Sequence, residues 1–332
     1  MSQDLPTIRL CTADVPSDAR DPHSFLPDLD QVCKPVIDER NPQLIIYSCF
    51  SRNFRRLPET ARRLFICLEN VHPNFNECDY AIACQPMTFG DRYLRVAPWE
   101  YGFNLEGINE RSSFLAEPKT RFCNFIYSNN KSRYIGTQER LNFCRELMNY
   151  KQVDCPGRVL HNMEAPELDG RYTDSRSASK MAFIRSYKFT IAWENTYGEG
   201  YCTEKLIEPL MAGSVPIYKG SLPECINPKS VINVDDFADT ASLIDYIRYL
   251  DENDEAYRAI LAEKPLLDGY KLNWRERVRD FLRHIIEHID EPRCRAPFRR
   301  DTEWLMLKEA GFLGRAGMAV TQALRRLGKR KR

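Results

Sequence analysis

Glu204 and Lys205 stand side by side where a polar, glycine-containing loop gives way to a helix, and that placement suits a ribose and a phosphate. The stretch before them, Phe189 to Trp193, is short, apolar and bounded by charge, which reads as a buried strand. Residues 194–202 are polar and include Gly198 and Gly200, so they form a loop. Thr203 is a good helix N-cap, Glu204 favours a first turn, and Gly213 sits where a helix stops. Val215 to Tyr218 is a second strand. The unit is strand, loop, helix, strand: one right-handed crossover. It puts Glu204 and Lys205 at the carboxyl end of a strand, where open α/β sheets bind ligands. Free N–H groups and the helix dipole favour an anion there. Lys205 adds a full positive charge, and a Glu204 carboxylate can accept from two ribose hydroxyls. A solvated Glu-Lys pair on a helix end fits the spacing equally well.

Two familiar nucleotide signatures fail at this place. Gly200 is not followed by the Gly-Lys-Ser/Thr of a P-loop. Gly198-Glu-Gly200-Tyr-Cys-Thr203 lacks the third glycine of a dinucleotide fingerprint and follows a longer loop, which argues against a dehydrogenase.

The elements around this unit come from composition and pattern. The chain has 332 residues, 43% hydrophobic and 29% charged, enough for two ordinary domains. A net charge of +1 points to no polyanionic partner, and no nucleic acid is expected. No apolar run approaches the roughly 18 residues of a membrane span, and the N-terminus has no basic flank or apolar core, so no signal peptide is expected. Twelve cysteines without a Cys-x-x-Cys pair read as buried reduced thiols, as in a cytoplasm. His284 and His288, one helical turn apart, have no further ligand nearby and read as a solvated face. Strands are expected at 7–13, 43–50, 64–68, 80–84 and 93–96, with 14–42 as loop and 52–63 as a basic connector. Residues 97–120 have no clear period. After them come a strand at 121–127, a helix at 136–150, the central unit, a strand at 231–234 and helices at 240–251, 254–263 and 273–289. This β-α alternation predicts a doubly wound sheet. Pro209 removes one helical hydrogen bond, a cost of about 3 kcal/mol in a helix interior, so the helix either kinks there or starts later. Asp235-Asp236 reads as an N-terminal signal for helix 240–251 rather than a metal motif.

Three blocks carry a resemblance. Ala192-Trp-Glu-Asn-Thr-Tyr-Gly-Glu-Gly-Tyr-Cys-Thr-Glu-Lys-Leu206 with Ala212-Gly-Ser-Val-Pro-Ile-Tyr218 resembles the signature of the α-1,3/4-fucosyltransferases, glycosyltransferase family 10. Cys67-Leu-Glu69-Asn70-Val-His-Pro-Asn74-Phe-Asn76-Glu-Cys-Asp79-Tyr80 resembles the family's other diagnostic stretch. Asn227-Pro-Lys-Ser-Val-Ile-Asn-Val-Asp235-Asp236-Phe237 is similar to its bacterial members. The blocks fall in family order and cover roughly residues 40 to 290.

The resemblance implies an α/β fold of GT-B type, two Rossmann-like doubly wound domains facing across a cleft. An acceptor-side domain would span 1–120 and a GDP-sugar domain 121–290, with 291–332 as an extension. It implies transfer of L-fucose from GDP-β-L-fucose, with inversion, to a GlcNAc-containing glycan such as an N-acetyllactosamine or O-antigen, in α-1,3 or α-1,4 linkage. Another GDP-deoxysugar, or a non-catalytic glycan or nucleotide binder, stays open. Carried over by position, Glu69 is the general base, with Glu77 and Asp79 the next carboxylates to consider. Lys205 and Arg140 hold the diphosphate, Glu204 the ribose, Asn195 and Tyr201 the donor, and Ser128 a phosphate or sugar. From sequence alone Arg140 reads as an exposed helical arginine beside Glu139. No obligatory cofactor or divalent metal is implied. Beyond the matched region, Val320, Leu324 and Leu327 share a face amid Arg325, Arg326 and Lys329 to Arg332. Such a basic amphipathic end suits peripheral contact with an anionic inner-membrane face, and a frayed tail fits it as well.

Overall fold

The computed structural model describes residues 5–17, 19–165, 168, 178–292 and 295. Eleven strands lie in two sheets among the described residues. In chain order they begin with β1 (Thr7–Ala13), β2 (Lys34–Ile37), β3 (Leu44–Tyr47), β4 (Arg62–Ile66), β5 (Tyr80–Ala83) and β6 (Tyr93–Arg95). The short helix α1 (Ser112–Ala116) precedes β7 (Arg121–Asn124), α2 (Ile135–Met148), β8 (Val153–Asp154), α3 (Ala178–Arg185) and β9 (Tyr187–Trp193). Then come α4 (Glu204–Ala212), β10 (Val215–Lys219), β11 (Ile232–Asn233), α5 (Thr240–Glu252), α6 (Asp254–Ala262) and α7 (Trp274–Glu287). The sheets run β2-β1-β3-β4-β5-β6 and β11-β10-β9-β7-β8. The pairings of β1 with β2 and β3, of β3 with β4, and of β9 with β7 and β10 are parallel. The fold is α/β of GT-B type, two parallel sheets with helices.

The chain divides into two compact units that are discontinuous in sequence, whereas the sequence reading places boundaries at 120 and 290. One comprises 1–66, 73–81 and 282–332; the other comprises 67–72 and 82–281. Short stretches therefore change unit, and residues 67–72, with Glu69, belong with the second.

In the first unit, β3 is Leu-Ile-Ile-Tyr and buried throughout, as a central parallel strand covered on both faces must be. β4 differs from the expected basic connector, because Arg62 and Arg63 lie inside it, 2% and 4% exposed. The Asp79 carboxylate accepts the Arg63 N–H at 2.9 Å and the Arg295 guanidinium, and Arg62 donates to the His288 carbonyl at 3.2 Å. β2 lies within the expected loop 14–42. It pairs with β1 at the sheet edge, where Pro35 has no ladder to interrupt on its outer side.

In the second unit, alternate residues of β9 and β10 feed two cores. Phe189, Ile191, Trp193, Val215 and Ile217 face α2, α5 and α6. Ala192 and Tyr218 face Leu206, Ile207 and Leu210 of α4. Helices on both faces make the sheet doubly wound. α4 starts at Glu204, capped by the Thr203 hydroxyl, and runs through the buried Pro209 without a later start. Gly213 ends it at φ 73°, where a Cβ would strike the Phe114 ring. Asp235 and Asp236 form a 3-10 turn of their own, and the cap of α5 is Asp239.

Candidate active site

In the second sheet the chain steps from β7 outward to β8, then returns to β9 and continues through β10 to β11. The switch lies between β7 and β9, and ligands bind outside the carboxyl ends of the strands at such a point. Arg140 joins the two loops there. Its guanidinium donates to the Asn129 carbonyl at 2.8 Å and the Trp193 carbonyl at 3.3 Å, and lies 3.8 Å over the Tyr127 ring. It is 1% exposed, so the expectation of an exposed helical arginine is overturned. The reason is local. Gly136 lets the first turn of α2 lie directly on the Glu194 carbonyl, where any Cβ would collide, and this brings Arg140 over the switch point. Ser128 is half-buried beside Asn129 in the same loop.

The α4 N-terminus is built around a carboxylate that sequence reasoning passed over. Glu194 is fully buried. It accepts from the Thr203 N–H and hydroxyl, both at 2.8 Å, and lies 3.3 Å from Lys205 Nζ. Lys205 Nζ also reaches Thr203 Oγ1 at 3.0 Å and Glu204 Oε1 at 3.1 Å. Burial pushes the Glu194 carboxyl upward. Burial acts on Glu204 in the same sense, but Lys205 and Lys180 outweigh it and hold that carboxyl down to about 2. Burial disfavours the Lys205 charge, yet Glu194 and Glu204 more than offset this and raise its pKa well above the usual range. Lys205 is thus a fixed cation and Glu204 a fixed acceptor at neutral pH. The one mark Glu194 leaves in the sequence is its position, directly after the mostly apolar β9.

Glu69 comes into the same cluster. Glu69 is exposed as a residue, but its carboxyl is crowded by protein, and burial raises its pKa despite the pull of Lys205 and a hydrogen bond from Tyr201. The Tyr201 hydroxyl lies 3.4 Å from Asn195 Oδ1, so Tyr201 links Glu69 to the loop after β9. Glu69, Asn195, Tyr201, Glu204 and Lys205 therefore share one neighbourhood, and Arg140 braces it from behind. The fallback carboxylates do not fit a base. Asp79 is fully buried under arginines, and Glu77 pairs with Arg55 at 2.6 Å. His284 and His288 are half-buried rather than solvated, with His284 edge-on to Tyr80. Among the described residues no group of three or more His, Cys, Asp or Glu side chains is placed to hold a metal.

One turn into α4, Glu208 is 2% exposed and accepts from Lys180 at 2.6 Å, while its Oε1 has no hydrogen-bond partner among the described residues. Burial raises its pKa to about 7 against the opposing pull of Lys180. Between its ordinary 4.5 and about 7 the folded state holds more protons than the unfolded chain, so stability falls as pH rises through that window. In urea unfolding from pH 5 to pH 8, Glu208→Gln should gain roughly 2–3 kcal/mol relative to the native chain, at about 1.4 kcal/mol per pKa unit. A stability difference that stays constant with pH would show that Glu208 titrates normally.

A helix N-terminus with a lysine at the switch point of a parallel sheet, beside a carboxylate of raised pKa, is an arrangement that suits a phosphorylated ligand. Comparison with known proteins narrows the class. The glycosyltransferase family 10 (fucosyltransferase) C-terminal model matches residues 116–283, half of the chain, and the alpha-(1,3)-fucosyltransferase FucT N-terminal domain matches residues 20–101. The chain belongs to glycosyltransferase family 10. It is 33% identical over 239 residues to the alpha-(1,3)-fucosyltransferase FucT of Helicobacter pylori, covering 64% of this chain and 49% of that protein. It is 39% identical over 130 residues to GDP-fucose protein O-fucosyltransferase 3 of Gallus gallus, covering 38% of this chain and 27% of that protein. The chain thus spans half or less of the length of these curated relatives. Crystal structures of an alpha1,3-fucosyltransferase match at a TM-score of 0.70 and, with GDP-fucose, 0.66. Both are 26% identical and cover 90% and 88% of this chain, and 95% and 93% of theirs. No helix among the described residues is long and apolar enough to cross a membrane. The basic amphipathic end at 320–332 lies outside the described residues.

Proposed function

We propose that this protein transfers L-fucose from GDP-β-L-fucose to a hydroxyl of a GlcNAc-containing glycan, with inversion to an α-1,3 linkage. The observation that carries the reading is the cluster of Glu69, Tyr201, Glu204 and Lys205 at the α4 N-terminus. Glu69 takes the acceptor proton, and its raised pKa makes it a stronger base at neutral pH. The acceptor oxygen attacks C1 of fucose as the C1–O bond to the diphosphate breaks, and that electron pair leaves with GDP. Attack on the face opposite GDP turns β into α. Lys205 and the α4 N-terminus take up the charge that develops on the diphosphate. Arg140 supplies the second positive charge and holds the Ser128 loop. Glu204 accepts from the ribose hydroxyls, and Asn195 and Tyr201 position the donor. With Glu69, Glu194 and Glu204 ionised, three carboxylates outnumber the two cations, so the diphosphate is drawn by the local field of Lys205 and the helix end, not by net charge.

The supporting relatives include a protein O-fucosyltransferase, so protein hydroxyls belong on the acceptor panel beside N-acetyllactosamine. The basic residues of 325–332 suit acceptors displayed at an anionic lipid surface. Two cations and a helix N-terminus serve the leaving group without a divalent ion. Accordingly, in excess EDTA, GDP should raise the Tm and GDP-fucose should be turned over, while UDP and NAD leave the Tm unchanged. An equal shift with UDP, or complete and metal-reversible loss of turnover in EDTA, would count against the reading.

A further inference from the structure

The loop between β9 and α4 is fastened from two sides, and Tyr197 receives both fastenings. From one side, Asn70 Nδ2 donates to the Tyr197 carbonyl at 3.1 Å and to Thr196 Oγ1 at 3.2 Å. The two hydrogens of one amide are thereby spent on two adjacent residues of the loop. The approach is close: a Cβ on Gly198 would lie 2.5 Å from Asn70 Oδ1. From the other side, the Tyr197 hydroxyl donates to Glu139 Oε2 at 2.8 Å, and Lys219 Nζ donates to the same oxygen at 2.8 Å. The Lys219 ammonium also stands 5.1 Å from the Tyr197 ring centroid and 5.3 Å from that of Trp193. Burial would raise the Glu139 carboxyl, but Lys219 and Tyr197 bring it below the usual range, so the latch is charged at neutral pH.

Asn70 adjoins Glu69, and Glu139 adjoins Arg140. We infer that the chain Asn70–Tyr197–Glu139–Lys219 is a positioning device that sets the Glu69 carboxylate in register with the donor side of the site. Nothing in it touches the reacting atoms. Asn70 and Tyr197 act through the residues beside them. The inference rests on the transferase reading above. A general base misplaced by about an ångström loses on the order of a hundredfold in rate. Donor binding through Lys205 and Glu204 is left intact, and water, which is small and free to reorient, is less sensitive to base placement than a bound acceptor hydroxyl.

The test compares transfer to a glycan acceptor, hydrolysis of GDP-fucose without acceptor, GDP affinity and Tm in five forms of the 332-residue chain: native, Asn70→Ala, Gly198→Ala, the double variant and Tyr197→Phe. Asn70→Ala should lower transfer roughly a hundredfold, keep GDP affinity within about twofold, and raise the ratio of hydrolysis to transfer by about tenfold or more. Gly198→Ala should do the same with Asn70 present, because the new methyl displaces the amide. In the double variant the methyl occupies space that Asn70→Ala has vacated, so the second change should add nothing to the first, a strong coupling between the two sites. Tyr197→Phe, which keeps the ring and the carbonyl, should lower transfer by about tenfold with the same unchanged GDP affinity, roughly one lost hydrogen bond to a charged group. Losses of Tm and GDP affinity that match the loss of transfer would make the latch merely structural, and independent additive effects would break the link through Gly198. Either result overturns the inference while leaving the transferase reading intact; a native chain that transfers nothing overturns both.

Discussion

Glu69→Gln should fold as the native protein does, bind GDP with unchanged affinity, and lose roughly two to four powers of ten in turnover. The change is isosteric and removes only the ability to take a proton. Glu69 is an exposed residue whose carboxyl meets Tyr201 and the charges of Glu204 and Lys205, so no core packing depends on it. Because protein crowding raises its pKa, the acid limb of the kcat/KM profile should lie above the ordinary carboxylate range. Activity falls as pH drops through that value, since the base becomes protonated. The glutamine variant should show no such limb. Near-normal kcat with a raised acceptor KM would instead make Glu69 a binding residue. In that case neither Asp79 nor Glu77 inherits the role, because Asp79 is fully buried and bonded to the Arg63 amide, and Glu77 is paired with Arg55. Glu194 does not inherit it either, since its oxygens are committed to Thr203 and Lys205 with no exposure.

The central strand-loop-helix-strand unit was legible because each of its signals is local. Thr203 at the N-cap, Gly213 in the left-handed region and the apolar run of β9 each depend on a few neighbouring residues, and all three stand where the sequence puts them. What escaped was set at a distance. β2 is four residues long, contains a proline and is mostly exposed, so it has no pattern of its own; its existence depends on pairing with β1. Arg62 and Arg63 read as connector because charge normally means solvent; Arg62 is buried where the distant His288 carbonyl and Asp79 meet its guanidinium, and the Arg63 guanidinium lies over the Phe54 ring. Arg140 was misjudged in exposure for the same reason. Its partners are backbone carbonyls of Asn129 and Trp193, and carbonyls leave no mark on a sequence. The family resemblance pointed to Glu204 and Lys205, but no motif of single residues showed that Glu194 lies beneath them, or that Asn70 and Tyr197 meet.

Lys205→Ala should remove most of the GDP-induced rise in Tm and weaken GDP binding by roughly ten- to a hundredfold, the worth of one charge-assisted contact of about 1.5–3 kcal/mol. The difficulty is that Lys205 also neutralises Glu194 and Glu204, at 3.3 and 3.1 Å. Deleting one partner of a buried pair strands the other charge and costs about 3–5 kcal/mol. The alanine variant will therefore be less stable even without ligand, and a smaller thermal shift alone could reflect either effect. Adding Glu194→Gln separates them. The neutral amide keeps the bond from the Thr203 N–H and needs no cation, so the double variant should recover much of the lost stability. It should not recover GDP affinity, measured by titration well below either Tm, because the positive charge at the α4 N-terminus is still gone. The salt dependence of GDP binding should also be shallower in both variants than in the native chain, since one screened charge has been taken from the site. If the double variant binds GDP as tightly as the native protein, Lys205 is a structural counter-ion for Glu194, and the helix end, with the buried Arg140 charge behind it, holds the diphosphate.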